Sequence, residues 1–202
     1  MIKPNSQNIR MIHINKTAGT SVLDWLLSIG VAGSKQNIAG KGSANSSHRI
    51  IEEFDNKHFY FTIVRNPYDR LASHYFQWEK HGWWRDDVKD LDDFVQKAYE
   101  YPPKFFIKEK YIHKHQPEFI RPCTEWIRDF DKVKIFKTEE LDELLEFFRQ
   151  HFKGKKADNN LGVSKSTKTK GLKSYKDLYN EKSKSIIKQV FDDDFKNFGY
   201  EK

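Results

Sequence analysis

Ile9-Arg10-Met11-Ile12-His13-Ile14, followed by Asn15-Lys16-Thr17-Ala18-Gly19-Thr20-Ser21 and then Val22-Leu23-Asp24-Trp25-Leu26-Leu27-Ser28-Ile29, is the stretch whose reading decides the fold. The first six residues are mostly apolar and short enough to be a strand. In the third group Val22, Leu26 and Ile29 fall at i, i+4 and i+7 with Leu23 and Leu27 beside them, while Ser21, Asp24 and Ser28 lie on the other side, which predicts an amphipathic helix. The order is therefore strand, polar turn, helix. Gly30 and Gly33 close the helix, and the small residues of 40–47 form a connection to His48 and a short amphipathic stretch through Phe54.

The same unit recurs. Phe59-Tyr60-Phe61-Thr62-Ile63-Val64 is an almost unbroken apolar and β-branched run, as expected of a parallel strand buried on both faces. It stops at Arg65-Asn66-Pro67, where Asn66 can cap a helix and Pro67 suits its first turn. Leu71, Tyr75 and Trp78 then make one stripe, and Arg70, Ser73 and Gln77 line another face. Further on, helices are expected near Leu91 to Tyr99 and Phe105 to His115, separated by Pro102-Pro103. Val133-Lys134-Ile135-Phe136 is a third strand, leading to Thr138 as N-cap, Glu139 and Glu140 in the first turn, and Leu141, Leu144, Leu145 and Phe148 at helical spacing. A last helix carries Ile187, Val190, Phe191, Phe195 and Phe198 along one stripe. Strands alternating with helices predict an α/β layered domain with a small, mostly parallel sheet.

Composition agrees and excludes several classes. The 202 residues suit one domain at roughly 100–200 residues per domain. Apolar residues make up 37% and aromatics 15%, so the core must draw heavily on Phe, Tyr and Trp. No apolar run reaches the ~18–20 residues of a membrane span, and the first thirty residues do not read as a secretory signal. Cys123 is the single cysteine, so no internal disulfide can form. Residues 153–176 hold eight lysines and one acid, Asp158, a net +7 that equals the charge of the whole chain. Such a segment suits a polyanionic partner, or it is a solvated lysine-rich loop.

Chemistry is expected at the strands' carboxyl ends, where a following helix offers unpaired N–H groups and a positive dipole to an anion. Lys16 to Ser21 occupies that position. Gly19 would let the backbone approach a phosphate, Lys16 adds a charge, and Thr17, Thr20 and Ser21 add hydroxyls. The same residues also suit an ordinary capped turn with a solvated lysine. There is no G-x-x-x-x-G-K-[ST] pattern and no strand-end Asp for magnesium, so the loop suits a phosphate-bearing ligand without a required metal.

His13-Ile14-Asn15-Lys16-Thr17-Ala18-Gly19-Thr20-Ser21 resembles the H-x-P-K-T-A-G-T-S loop of the carbohydrate sulfotransferases, the group related to the heparan 2-O-sulfotransferases. Val64-Arg65-Asn66-Pro67-Tyr68-Asp69-Arg70-Leu71-Ala72-Ser73-His74-Tyr75 is similar to their second signature, V-R-N-P-Y-D-R-L-x-S-x-Y. The likeness continues through Gln116, Ile135-Phe136-Lys137, Tyr175 to Tyr179 and Asp194 to Tyr200, and so spans nearly the whole chain. Asn15 stands where the family usually has proline, and the region of Ser164 resembles a segment that often reads N-x-S.

The resemblance implies a single sulfotransferase domain over 1–202, of the three-layer, P-loop NTPase-like kind. It implies transfer of a sulfuryl group from 3′-phosphoadenosine-5′-phosphosulfate (PAPS) to an acceptor, leaving adenosine 3′,5′-bisphosphate. Lys16, Thr17, Ala18, Gly19, Thr20 and Ser21 would hold the 5′-phosphosulfate, with Lys16 also catalytic by neutralising charge on the leaving oxygen. Arg65 would pair with the 3′-phosphate and Ser73 would donate a hydroxyl bond; the bland alternatives are a salt bridge from Arg65 to Asp69 and an ordinary polar helix position. Arg70 reads as structural. The lysine-rich segment, with Ser164 and Lys165, is placed like the family's loop closing over the nucleotide.

Transfer needs a base, and histidine has a suitable unperturbed pKa. Of the eight histidines, His13 and His58 belong to strands and His151 to a helix end, whereas His48 lies between the two motifs, where related sulfotransferases carry a catalytic histidine. His48 is the expected base, with Glu52 or Glu53 next. His113, His115 and Cys123 are too few and too loosely spaced for zinc. Trp78, His81, Trp83, Trp84 and Arg85 form an aromatic cluster suited to a sugar or to core packing.

The expected partner is a hydroxylated acceptor, a glycan, with no nucleic acid and no integral membrane segment. The absence of a signal or anchor favours a cytoplasmic, bacterial protein. Two other classes compete: a P-loop-type nucleotide kinase, disfavoured by the missing Walker pattern, and a non-enzymatic polyanion-binding module using the lysine segment.

Overall fold

The computed structural model describes residues 3–5, 7–31, 48, 50–102, 107–108, 120–152 and 175–202. Three strands, β1 (Ile9–Ile12), β2 (Phe59–Val64) and β3 (Val133–Lys137), form a parallel sheet in the order β1-β2-β3. Ile9 pairs with Phe59 at one side of β2, and Tyr60 pairs with Val133 at the other. All six residues of β2 are buried, as its continuous apolar run predicts for a central parallel strand. The first strand ends two residues earlier than the sequence suggests, so His13 and Ile14 belong to the turn.

The contacts of the chain group into two compact units, one of residues 1–65 and 125–165, the other of 66–124 and 166–202. In the first, α1 (Gly19–Ser28) and α4 (Leu141–His151) pack on the sheet. Val22, Leu23, Trp25, Leu26, Leu144, Leu145 and Phe148 join Ile9, Met11, Phe59, Phe61, Ile63 and Phe136 in one core. Trp25, three residues after Val22 and four before Ile29, is buried on the same face of the helix.

Asp55 starts β2. Its carboxylate accepts from the amides of Lys57 (2.8 Å) and His58 (2.9 Å) and from His58 Nδ1 (2.7 Å). These bonds, the Lys57 amide foremost, lower its pKa to about 2. The amphipathic stretch expected at 50–54 forms no regular element.

Thr138 does not cap a helix. Residues Thr138–Glu140 make a 3₁₀ turn before α4, and the Thr138 hydroxyl donates instead to the carbonyl of Val64, 3.0 Å away. The strand-end carbonyl of Val64 competes successfully for the hydroxyl that a helix end would otherwise use.

The second unit has its own core, built on α2 (Pro67–Lys80), α3 (Leu91–Glu100), α5 (Glu181–Val190) and α6 (Asp192–Phe198). Asn66 caps α2 by accepting from Tyr68 N at 3.0 Å, with Pro67 in the first turn, as the sequence predicts. Burial runs around α2, covering Arg70, Ser73 and His74 as well as Leu71, Tyr75 and Trp78. The Arg70 guanidinium meets this burial by donating to the carbonyl of Arg121 at 2.7 Å.

Two sequence expectations are corrected here. The single C-terminal helix is two, with the break at Phe191, so Ile187, Phe191 and Phe195 join one core from two helices. The helix expected from Phe105 to His115 does not hold at its described residues: Ile107 is extended and bridges Trp84 in antiparallel fashion. Burial of Ile107 beside a tryptophan outweighs the weak local helical pattern.

Candidate active site

The turn between β1 and α1 is held in an unusual backbone conformation. Lys16 and Ala18 both have φ of 64°, in the left-handed region that costs a non-glycine residue roughly 1–2 kcal/mol. Two such residues in three are kept only where surrounding contacts over-determine them, and they concentrate at ligand sites.

Three contacts supply that constraint. The Thr17 hydroxyl, fully buried, donates to the carbonyl of Ile14 at 2.8 Å. Arg65, which follows β2, donates from a guanidinium nitrogen to the carbonyl of Lys16 at 3.3 Å. The amide of Val22 bonds the carbonyl of Ala18 at 3.2 Å and starts α1. Thr17 thus spends its hydroxyl proton inside the loop, and its backbone amide is what it can offer an anion. Thr17→Val keeps the shape and removes the bond; thermal unfolding should show a loss of about 1–2 kcal/mol.

Gly19 has a reason that its sequence context does not reveal. A Cβ there would lie 2.5 Å from Nε2 of His13 and 2.9 Å from the methyl of Met11. The His13 imidazole is thus seated directly against the glycine that opens α1, and His13 itself is only 4% exposed. Thr20 is exposed and Ser21 half-buried on the first turn of the helix. No acidic residue occupies that turn, so the helix's own first turn places no carboxylate against its positive end.

His48 comes to the same place. Its Nδ1 lies 2.7 Å from the carbonyl of His13, and the two imidazole rings are 4.2 Å apart at 41°. A carbonyl can only accept, so Nδ1 carries the hydrogen, and in neutral His48 the lone pair is on Nε2. Glu52, the next base considered, is 68% exposed at its side chain and accepts from Arg128 at 3.3 Å; Glu53 is exposed.

The first unit therefore gathers Lys16 to Ser21, Arg65, His13 and His48 at the carboxyl ends of β1 and β2. Ser73 belongs to the second unit, on α2, and is buried. Ser164 and Lys165 lie outside the described residues, as do His113 and His115 and all of the lysine-rich segment before Tyr175. Lys176 is described; it donates to the carbonyl of Lys202 at 2.6 Å and stands over the Tyr68 ring.

The tryptophan cluster divides in two. Trp78 and Trp84 are buried with ring centroids 4.9 Å apart, and Trp84 Nε1 donates to the carbonyl of Tyr75, so both are core residues. His81 and Trp83 stack at 4.7 Å nearer the surface.

Sequence reasoning missed two site features. It treated His13 as strand interior, since nothing in one sequence shows that a residue 35 positions away returns to its carbonyl. It also read Gly19 only as access for a phosphate, where the structure shows it making room for an imidazole.

Among the described residues no helix is long and apolar enough to cross a membrane. Compared with known protein families, residues 1–201 match the one described as the sulfotransferase family. No curated protein and no solved structure gave a match.

Proposed function

Because the chain belongs to the sulfotransferase family, we propose that it moves the sulfuryl group of PAPS to a hydroxyl of a carbohydrate or similar acceptor, with His48 as general base. The observation that supports this most is the bond from Arg65 to the carbonyl of Lys16, which ties the two motifs together and sets two cationic residues at neighbouring strand ends.

The donor supplies a sulfuryl group already activated by its link to phosphate. Lys16 and the amides of Thr17 to Ser21 suit the 5′-phosphosulfate, and Lys16 would offset the charge that grows on the leaving phosphate oxygen. Arg65 suits the 3′-phosphate, whose oxygens match its planar fork. The family resemblance adds Ser73, Ser164 and Lys165 as further donor contacts. His48 Nε2 would take the proton as the acceptor oxygen bonds to sulfur and the bond from sulfur to the leaving oxygen breaks.

On this reading residues 1–202 act as one sulfotransferase domain, with βα turns used in P-loop NTPase-like fashion but without the Walker glycines and without a required metal. The acceptor would be a glycan, and the setting the cytoplasm of a bacterium.

Calorimetric titration tests it without needing the acceptor. Adenosine 3′,5′-bisphosphate should bind in metal-free buffer at least about tenfold tighter than adenosine 5′-monophosphate or ATP, a difference of about 1.4 kcal/mol. Equal affinity for the mono- and bisphosphate would overturn the donor assignment.

A further inference from the structure

We infer that His13 is a positioning residue, which holds His48 in one tautomer and one orientation and links it to the donor loop through Gly19. The inference rests on the reading of His48 as the base, and deepens it.

Free neutral imidazole exchanges its proton between both nitrogens, and a base whose lone pair is on the wrong nitrogen is inactive in a given pose. At His48 the choice is made by a backbone group: Nδ1 donates to the His13 carbonyl at 2.7 Å, leaving Nε2 bare. The bond to the carbonyl sets where the proton is. The His13 ring adds a restraint on how the imidazole turns, because it lies 4.2 Å from the His48 ring and is tilted against it.

His13 is itself immobilised. Its imidazole is buried and rests on Gly19, where even one added carbon would collide with Nε2. Gly19 opens α1 immediately after Ala18, whose left-handed backbone shapes the loop. The order of contacts is loop glycine, His13 ring, His48 ring, so the geometry of the donor loop and the aim of the base are set by one packed stack. An aligned base of this kind gains from being held by packing rather than by its own loop.

The test is side-chain nitrogen NMR on ¹⁵N-histidine-labelled protein near neutral pH, with His48→Gln to assign the His48 signals. Wild type should show His48 with Nδ1 protonated and Nε2 bare. His13→Ala removes the ring but keeps the carbonyl; the expected result is loss of that pattern, with His48 signals moving to the averaged positions of a freely exchanging imidazole. His13→Phe, which puts a flat ring back on Gly19, should restore the wild-type pattern, and a general folding defect would not produce such a rescue. Should His13→Ala fail to fold, His13→Leu, which fills the space beside Gly19 without a flat ring, takes its place and should likewise lose the pattern.

A wild type with the His48 proton on Nε2, or a His13→Ala protein that keeps the locked pattern, overturns the role of His13. The experiment uses no donor, so its failure is separate from that of the donor assignment. A protein that prefers the bisphosphate but lacks the lock loses only this inference. A locked protein indifferent to the 3′-phosphate loses the donor reading, and with it the catalytic meaning of the lock.

Discussion

Arg65→Ala should weaken binding of adenosine 3′,5′-bisphosphate by about 10- to 100-fold. Charge-assisted hydrogen bonds contribute roughly 1.5–3 kcal/mol each, and every 1.4 kcal/mol is tenfold in affinity. The effect should be selective. Adenosine 5′-monophosphate lacks the 3′-phosphate, so its affinity should fall only by what the loop loses when the bond from Arg65 to the Lys16 carbonyl is removed. Arg65→Lys should recover little, since an ammonium cannot reproduce a planar fork. If Arg65 merely braces the loop, both nucleotides will weaken equally; paired calorimetric titrations separate the two cases. The protein should remain folded, because the guanidinium is only half-buried.

Asp194→Ala should be the most damaging single change to the second unit. Asp194 is fully buried, and its two oxygens accept from the amides of Cys123 at 2.7 Å and Thr124 at 2.8 Å. Truncation strands two amides, one of them buried, at about 1–3 kcal/mol per buried unsatisfied group. A total loss of about 2–5 kcal/mol follows, read from denaturant unfolding or as a marked fall in Tm. Asp194→Asn should recover little of it, because one of the two amides would then face an NH₂ donor. A loss below about 1 kcal/mol would mean that water reaches these amides and that the carboxylate is not what fixes the segment.

Asp194 also illustrates what could be read in advance. The last helix was expected from an apolar stripe that ends in Phe195 and Phe198, whose spacing is local. The carboxylate just before Phe195 bonds residues about 70 positions away, and no periodicity betrays such a pairing. Asn66 is the opposite case: an Asn before Pro at the end of an apolar run announces a cap by chemistry confined to three residues, and the cap forms. Thr138 looked equally good as a cap. It failed because the carbonyl of Val64 on the neighbouring strand offered its hydroxyl a different partner.

In the candidate site, Lys16 to Ser21, Arg65 and His48 were all legible as residues. Their arrangement was not. The left-handed backbone at Lys16 and Ala18 cannot be inferred from residue types that normally avoid it, and the inward turn of the Thr17 hydroxyl depends on where Ile14 is held.

By itself, the sequence determined the elements that rest on short-range order: three apolar strands, the polar βα turns behind two of them, and the stripes of α1, α2 and α4. Each follows from side-chain periodicity and caps within a few residues. The order and register of β1 and β3 on either side of β2, the seating of His13 on Gly19, and the return of His48 to the His13 carbonyl were decided only by the tertiary structure. These contacts join residues far apart in the chain, and they exist because burial forces distant groups to share space and to satisfy one another's hydrogen bonds.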